Sequence, residues 1–311
     1  MSNVIVENYI KAPILYWENS HELIDFDKPY SCTSQICNQS FYDAPFFHYW
    51  AKRLMPALVD HLRDTHQFSE LEYSQSAVYH RKLWELVYIC QAFYERGMLK
   101  EGKRGVVFGV GEECLPDLFA SFGCEILATD LNADADEAQD WIKSGQNAAG
   151  NLDKLNKYRF CEPDDFRKKV TYRDVNMNEI PADITDYDFC WSTCAFEHLG
   201  SLNHGIEFVK NSLKTLKPGG IAIHTTEYNI YSNQATFESK GLSLYRRKDI
   251  EYLVSELQRG GAAVSPIDWH IGNDYLDRFI DLPPYSKKGM HLRLLIQGFP
   301  CTSIGLIIKK L

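Results

Sequence analysis

The run Val106-Val107-Phe108-Gly109-Val110-Gly111-Glu112-Glu113, followed by Cys124-Glu125-Ile126-Leu127-Ala128-Thr129-Asp130, sets the tightest limits on how this chain folds. It reads as a strand, a glycine turn, a helix from Glu113 to Phe122, a second strand and a terminal acid. Gly109 and Gly111 permit a sharp turn and a close approach of a ligand to the backbone, which a side chain would block. The helix N-terminus then lies at the turn, and Asp130 can accept hydrogen bonds from the two hydroxyls of a ribose. This order describes a site for an adenosine-bearing cofactor.

Two cofactor classes use such a turn. The nicotinamide dinucleotide pattern G-x-G-x-x-G wants glycine at position 114, where Cys114 stands, and rests a pyrophosphate on the helix terminus. Glu112 and Glu113 would repel that pyrophosphate. S-adenosylmethionine (SAM) has no phosphate, and its ammonium and sulfonium groups welcome nearby carboxylates. Charge therefore favours SAM, although a glycine turn in some other doubly wound sheet remains open on this motif alone.

The chain has 311 residues, 45% of them apolar and 24% charged, an ordinary composition for a globular protein with a sizeable core. A net charge of −9 disfavours broad contact with nucleic acid or an anionic membrane and suits a small-molecule partner. The basic clusters Arg246-Arg247-Lys248 and Lys287-Lys288 are short enough to be solvated faces. Nine cysteines, odd in number and irregularly spaced, read as reduced thiols of a cytoplasmic protein, and no zinc-site spacing occurs. No metal is expected. Met1 to Pro13 lacks a signal-peptide pattern and no apolar run reaches 18 residues, so neither secretion nor a membrane span is expected.

Residues 1 to about 45 read as irregular chain. Trp50, Leu54, Leu58 and Leu62 predict a helix from Phe46 to Arg63, and Leu83, Leu86, Val87, Cys90, Phe93 and Tyr94 predict another over Val78 to Met98. Ala133 to Ser144 is rich in helix formers, with a short helical stretch at Leu152 to Tyr158. Further strands are expected at Val170–Arg173, Asp188–Ser192, Ile221–Thr226, Ala262–Ile271 and Thr302–Ile308. Helices are expected at Gly205–Leu216 and Arg247–Gly260, with a turn at Lys217-Pro218-Gly219-Gly220. This alternation implies a doubly wound, mostly parallel α/β sheet over residues 101–311. Residues 1–100 are read as an N-terminal helical extension that caps the substrate region.

Taken together, Gly109-Val110-Gly111, Asp130, Asp174 after the third strand, Cys194-Ala195-Phe196-Glu197-His198-Leu199 after the fourth and Lys217-Pro218-Gly219-Gly220 before the fifth resemble the class I SAM-dependent methyltransferase family over residues 104 to 311. The resemblance implies a seven-stranded, mostly parallel sheet with SAM as cofactor. It implies that Gly109, Val110 and Gly111 line the cofactor, that Asp130 with Leu131 meets the ribose, that Asp174 with Val175 meets the adenine, and that Cys194 and Ala195 pass near the sulfonium. The chain departs from the family where an acid usually stands, at Val107, and where a third glycine usually stands, at Glu113. These departures concern the methionine end of the cofactor. His224-Thr225-Thr226-Glu227-Tyr228-Asn229, with Arg81-Lys82-Leu83-Trp84-Glu85, also resembles a bacterial subgroup associated with glycan or secondary-metabolite pathways.

Methyl transfer to a hydroxyl needs a base near the carboxyl edge of the sheet, and His198, His224 and Glu227 are the candidates. Each has a structural alternative: His198 starting a helix with Glu197, His224 as a core histidine, Glu227 paired with Arg246 or Arg247. Arg81 or Lys82 could hold an anionic group of the substrate, and Trp84 is read as core packing. Asp281-Leu282-Pro283-Pro284-Tyr285 resembles the acid-Pro-Pro-Tyr motif of amino-group methyltransferases but follows the sixth strand rather than the fourth, so it is read as a loop, a candidate substrate lid. The expected activity is methyl transfer to oxygen of a small-molecule or glycan-precursor acceptor, with no nucleic-acid partner; a homodimer is compatible with the sequence. A nicotinamide-dependent oxidoreductase and a non-catalytic SAM-binding scaffold are the alternatives.

Overall fold

The computed structural model describes residues 32–64, 79–135, 139, 146–148, 150–285 and 290–311. Most of the helix expected at Ala133 to Ser144 lies outside these residues, as does much of the expected cap. Strand β1 (Ser34–Ile36) is followed by helices α1 (Pro45–Asp64) and α2 (Arg81–Glu95), and then by the alternating unit β2 (Arg104–Phe108), α3 (Leu115–Ser121), β3 (Glu125–Asp130), α4 (Leu152–Leu155), α5 (Pro163–Lys169), β4 (Val170–Asp174) and β5 (Tyr187–Thr193). Helix α6 (Leu202–Ser212), strand β6 (Leu216–Asn229), helix α7 (Arg247–Arg259) and strands β7 (Ala262–Val264) and β8 (Ile267–Asp268) follow. Helix α8 (Tyr275–Arg278) and strands β9 (Ile280–Asp281), β10 (Arg293–Ile296) and β11 (Phe299–Lys310) complete the described chain.

The strands form one sheet in the order β4-β3-β2-β5-β6-β11-β1-β8. From β4 to β6 every pairing is parallel, and β11 runs antiparallel to β6. The far edge of β11 is covered by three short strands, β1, β7 and β10. The chain therefore winds outward from β2 to β4, returns to place β5 beside β2 and winds the other way, leaving a crevice at the carboxyl ends of β2 and β5.

Side-chain alternation along the strands builds two cores. Val107, Phe189, Trp191, Ile223 and Ile307 face α1, α2 and α3. Val106, Phe108, Cys190, Ala222 and Ile304 face α6 and α7. Helix α2 is buried on most sides, which explains why its sequence offers so little polar surface beyond its ends. Trp84 is completely buried, stacked on Tyr88 at 4.8 Å.

Two expectations are revised. The predicted turn at Lys217-Pro218-Gly219-Gly220 is a bulge inside β6, because Tyr187 pairs with Leu216 while Phe189 pairs with Ile221. The single strand expected over Ala262 to Ile271 is split into β7 and β8, which join different neighbours. Strand β1, unforeseen in the sequence, adds residues of the expected cap to the sheet itself. Among the described residues no helix is long and apolar enough to cross a membrane.

Candidate active site

A cavity of about 760 Å³ occupies the crevice at the carboxyl ends of β2, β3 and β5. Gly109 and Gly111 both adopt positive φ, +66° and +55°, so the turn after β2 is one that side chains resist. A Cβ on Gly109 would lie 2.9 Å from Cβ of Ala195, and one on Gly111 3.1 Å from the Gln146 carbonyl oxygen. The turn is thus bare because its neighbours approach it from across the cavity.

Asp130 holds this turn to the end of β3. Its Oδ2 accepts from the Gly111 amide and its Oδ1 from the Leu131 amide, each at 2.8 Å. Burial pushes its pKa up to about 6, against the pull of those two amides. Each oxygen keeps a further lone pair for a ligand hydroxyl. Gly109, Val110, Gly111, Asp130 and Leu131 border the cavity, as do Val175, Cys194 and Ala195. Asp174 does not; it is exposed and accepts from Asn132 Nδ2 at 2.9 Å.

The sequence marked Glu113 both as a charge that favours SAM over a pyrophosphate and as a departure from the family pattern, and the structure places it at the cavity wall. Its Oε1 accepts from Trp191 Nε1 at 2.7 Å and its Oε2 from Thr193 Oγ1 at 2.8 Å, both donors coming from β5. Burial raises its pKa to about 7, only partly offset by these hydrogen bonds. Val107, where an acid was expected by resemblance, is fully buried in the core beside α2 and could not carry one without a partner. The neighbouring Glu112 is already paired, with Lys154 Nζ at 2.6 Å.

The three base candidates part company. His198 borders the cavity, and its Nδ1 lies 2.7 Å from the Gly241 carbonyl oxygen. A carbonyl can only accept, so Nδ1 carries the proton and Nε2 holds the lone pair of the neutral ring. His224 does not border the cavity: β6 alternation turns it toward α6, where Ser192 Oγ and Ser212 Oγ contact its two nitrogens at 2.8 and 3.0 Å. Burial drives its pKa down to about 3, so it is a neutral core histidine. Glu227 faces the opposite side and pairs with Arg81 Nη2 at 2.5 Å, not with Arg246 or Arg247, which bind Asp249 and Glu251.

Arg81 anchors a buried ionic cluster behind the cavity wall. Its Nη1 reaches Glu85 Oε1 at 3.0 Å and Ser303 Oγ at 3.2 Å. The Cys194 thiol donates to the same Glu85 oxygen at 3.1 Å, and burial raises that thiol well above its ordinary pKa. Cys194 itself has φ of +44°, unusual for a residue with a side chain, and turns the chain at the end of β5. Among the described residues no group of His, Cys, Asp and Glu side chains could hold a metal ion.

The doubly wound sheet, its antiparallel β11 and a ligand-sized crevice where the winding reverses together define a class I methyltransferase fold. Among solved structures, similarity is found to a protein from Galdieria sulphuraria assigned as a sarcosine dimethylglycine methyltransferase, 14% identical, covering 78% of this chain and 91% of that one with a TM-score of 0.47. A SAM-dependent methyltransferase from Mesorhizobium loti is 15% identical, covering 70% and 98%, with a TM-score of 0.42. Phosphoethanolamine N-methyltransferase 2 from Haemonchus contortus, in complex with SAM, is 17% identical, covering 57% of this chain but only 37% of its own length, with a TM-score of 0.37. No protein-family model matches the chain, and no curated protein matches it.

Proposed function

We propose that this protein is a SAM-dependent methyltransferase acting on an oxygen of a small-molecule or glycan-precursor acceptor. The observation that carries the reading is Glu113: a carboxylate at the cavity wall, held by two neutral donors, beside a bare glycine turn and an acid at the end of the next strand. Such a wall suits a cationic adenosine derivative. A dinucleotide pyrophosphate would meet the Glu113 carboxylate instead, which disfavours the nicotinamide alternative.

The residues present fit the cofactor. The Gly109–Gly111 turn presents bare backbone to the cavity, Asp130 offers lone pairs to the ribose hydroxyls, and Glu113 offers a carboxylate to the methionyl ammonium. SAM, when bound, supplies an electrophilic methyl group on sulfur. His198 accepts the acceptor's hydroxyl proton at Nε2, and the Gly241 carbonyl steadies the imidazolium that results through Nδ1. Ala195 and Cys194 shape the wall between the two ligands.

Isothermal titration with SAM and with S-adenosylhomocysteine tests the first half: both are expected to bind, and failure of both at high micromolar concentration would end the proposal. Asp130→Ala should weaken binding by about 1.5–3 kcal/mol. The oxygen specificity is tested by mass spectrometry of methylated products from a panel of hydroxyl and amine acceptors; methylation of amines alone would refute it.

A further inference from the structure

The first turn of α2 carries two adjacent cations, Arg81 and Lys82, and no acid. Cations there oppose the helix dipole, and Arg81 is also buried, so the arrangement is costly for stability. Arg81 is consumed by Glu85, Glu227 and Ser303. Lys82 is different: its ammonium reaches Glu85 Oε2 at 3.2 Å, which takes one of its three donors, and its side chain borders the cavity.

What keeps this helix end in place is the Asp281-Leu282-Pro283-Pro284-Tyr285 segment together with His291, and these residues do not border the cavity as a lid would. The Arg81 amide donates to the His291 carbonyl and the His291 amide to the Tyr79 carbonyl, both at 3.2 Å. The His80 and His291 rings stack at 4.8 Å, and Tyr285 meets His291 edge-on at 5.0 Å. His291 Nδ1 donates to Asp281 Oδ2 at 2.7 Å, while His80 Nδ1 caps the helix by accepting the Lys82 amide at 3.1 Å. Asp281 and His291 are both buried.

The carboxylates that border the cavity, Glu112, Glu113 and Asp130, follow β2 or end β3, and Glu113 reaches across to Thr193 beside Cys194. The cations that border it are Lys82, Lys157 and Lys240, and Lys82 stands on α2 with Glu85 behind the wall that Cys194 shares. We propose that Lys82 binds an anionic group of the acceptor, a carboxylate or a phosphate ester, and that Asp281 and His291 are positioning residues that hold Lys82 there. This inference rests on the methyltransferase reading, because it assigns the Cys194 end of the cavity to the acceptor.

The test uses the full chain saturated with S-adenosylhomocysteine, titrated calorimetrically with inorganic phosphate and, separately, with acetate in chloride-free buffer. Binding of at least one anion in the millimolar range is expected, and the stronger one identifies the acceptor's group. Lys82→Met should weaken it at least tenfold. His291→Phe, or Asp281→Asn if that variant does not fold, should weaken it about threefold or more, with S-adenosylhomocysteine affinity within twofold of wild type. Absence of anion binding to the wild-type complex, or equal binding by Lys82→Met, overturns the proposal while leaving the cofactor reading intact. Loss of anion and S-adenosylhomocysteine affinity together in the clamp variants would make Asp281 and His291 structural rather than positioning. Failure of wild-type protein to bind S-adenosylhomocysteine defeats the underlying reading instead.

Discussion

Replacing Glu113 by glutamine should make the protein more stable and worse at holding its cofactor. The carboxyl rises from an ordinary 4.5 to about 7 chiefly through burial. The fold thus favours the protonated acid: stability is greatest below about pH 4.5, declines as pH rises toward about 7, and stays reduced above it. At about 1.36 kcal/mol per pKa unit the shift corresponds to about 3 kcal/mol, and the half-buried position discounts this to about 1–3 kcal/mol. Glutamine never ionises, so Glu113→Gln should recover that amount at pH 8 in urea unfolding, and little of it at pH 4.5. The same substitution removes the anion opposite the methionyl ammonium. A charge-assisted hydrogen bond is worth about 1.5–3 kcal/mol, so the Kd for SAM should rise about 10- to 150-fold at pH 7.5. Wild-type affinity should itself fall roughly tenfold between about pH 7.5 and 6 as Glu113 protonates, whereas the variant should change only about twofold over that window, through Asp130, whose own pKa is raised to about 6. A variant that binds SAM as tightly as wild type, or with the same pH dependence, would refute the assignment of this carboxylate.

Other substitutions separate the remaining roles. His198→Gln should lower the rate of methyl transfer about 10²- to 10⁴-fold while calorimetric SAM affinity stays within twofold, whereas His224→Gln should reduce thermal stability without a selective loss of rate, since His224 lies away from the cavity. Gly111→Ala, at φ of +55° and facing the Gln146 carbonyl at 3.1 Å, should cost about 1–3 kcal/mol of stability in denaturant unfolding and weaken SAM binding. Glu227→Ala leaves Arg81 buried without its closest partner and should destabilise the fold by about 3–5 kcal/mol, read as a lower urea midpoint at unchanged slope.

Most of the sheet was legible because its strands are short apolar runs ending in glycine or acid, and Gly109, Gly111 and Asp130 sit where that pattern puts them. The base was less legible. His224 and Glu227 are three residues apart on one strand and so must face opposite cores, but which of them faces α2 depends on the phase of β6, which the bulge at residues 217–220 shifts. Glu113 was visible as an oddity but its donors, Trp191 and Thr193, come from a strand about eighty residues later, so no local pattern could reveal the contact. Asp174 illustrates the converse: its place at a strand end matched the resemblance, yet its side chain turns to Asn132 at the surface.

Strand β11 has a consequence for how the molecule is made. It lies between β6 and β1 and pairs Gly305 with Gln35, so the sheet cannot close until residues 299–310 have been synthesised. Until then the parallel half built from β2 to β6 waits with the edge of β6 open, and Ser34–Ile36 has only the two-residue β8 to join. Such non-local closure is slow and leaves an unpaired edge exposed to neighbouring chains. Slow production of this protein, or a chaperone that shields β6, should therefore raise the yield of folded chain more than any change at the cavity.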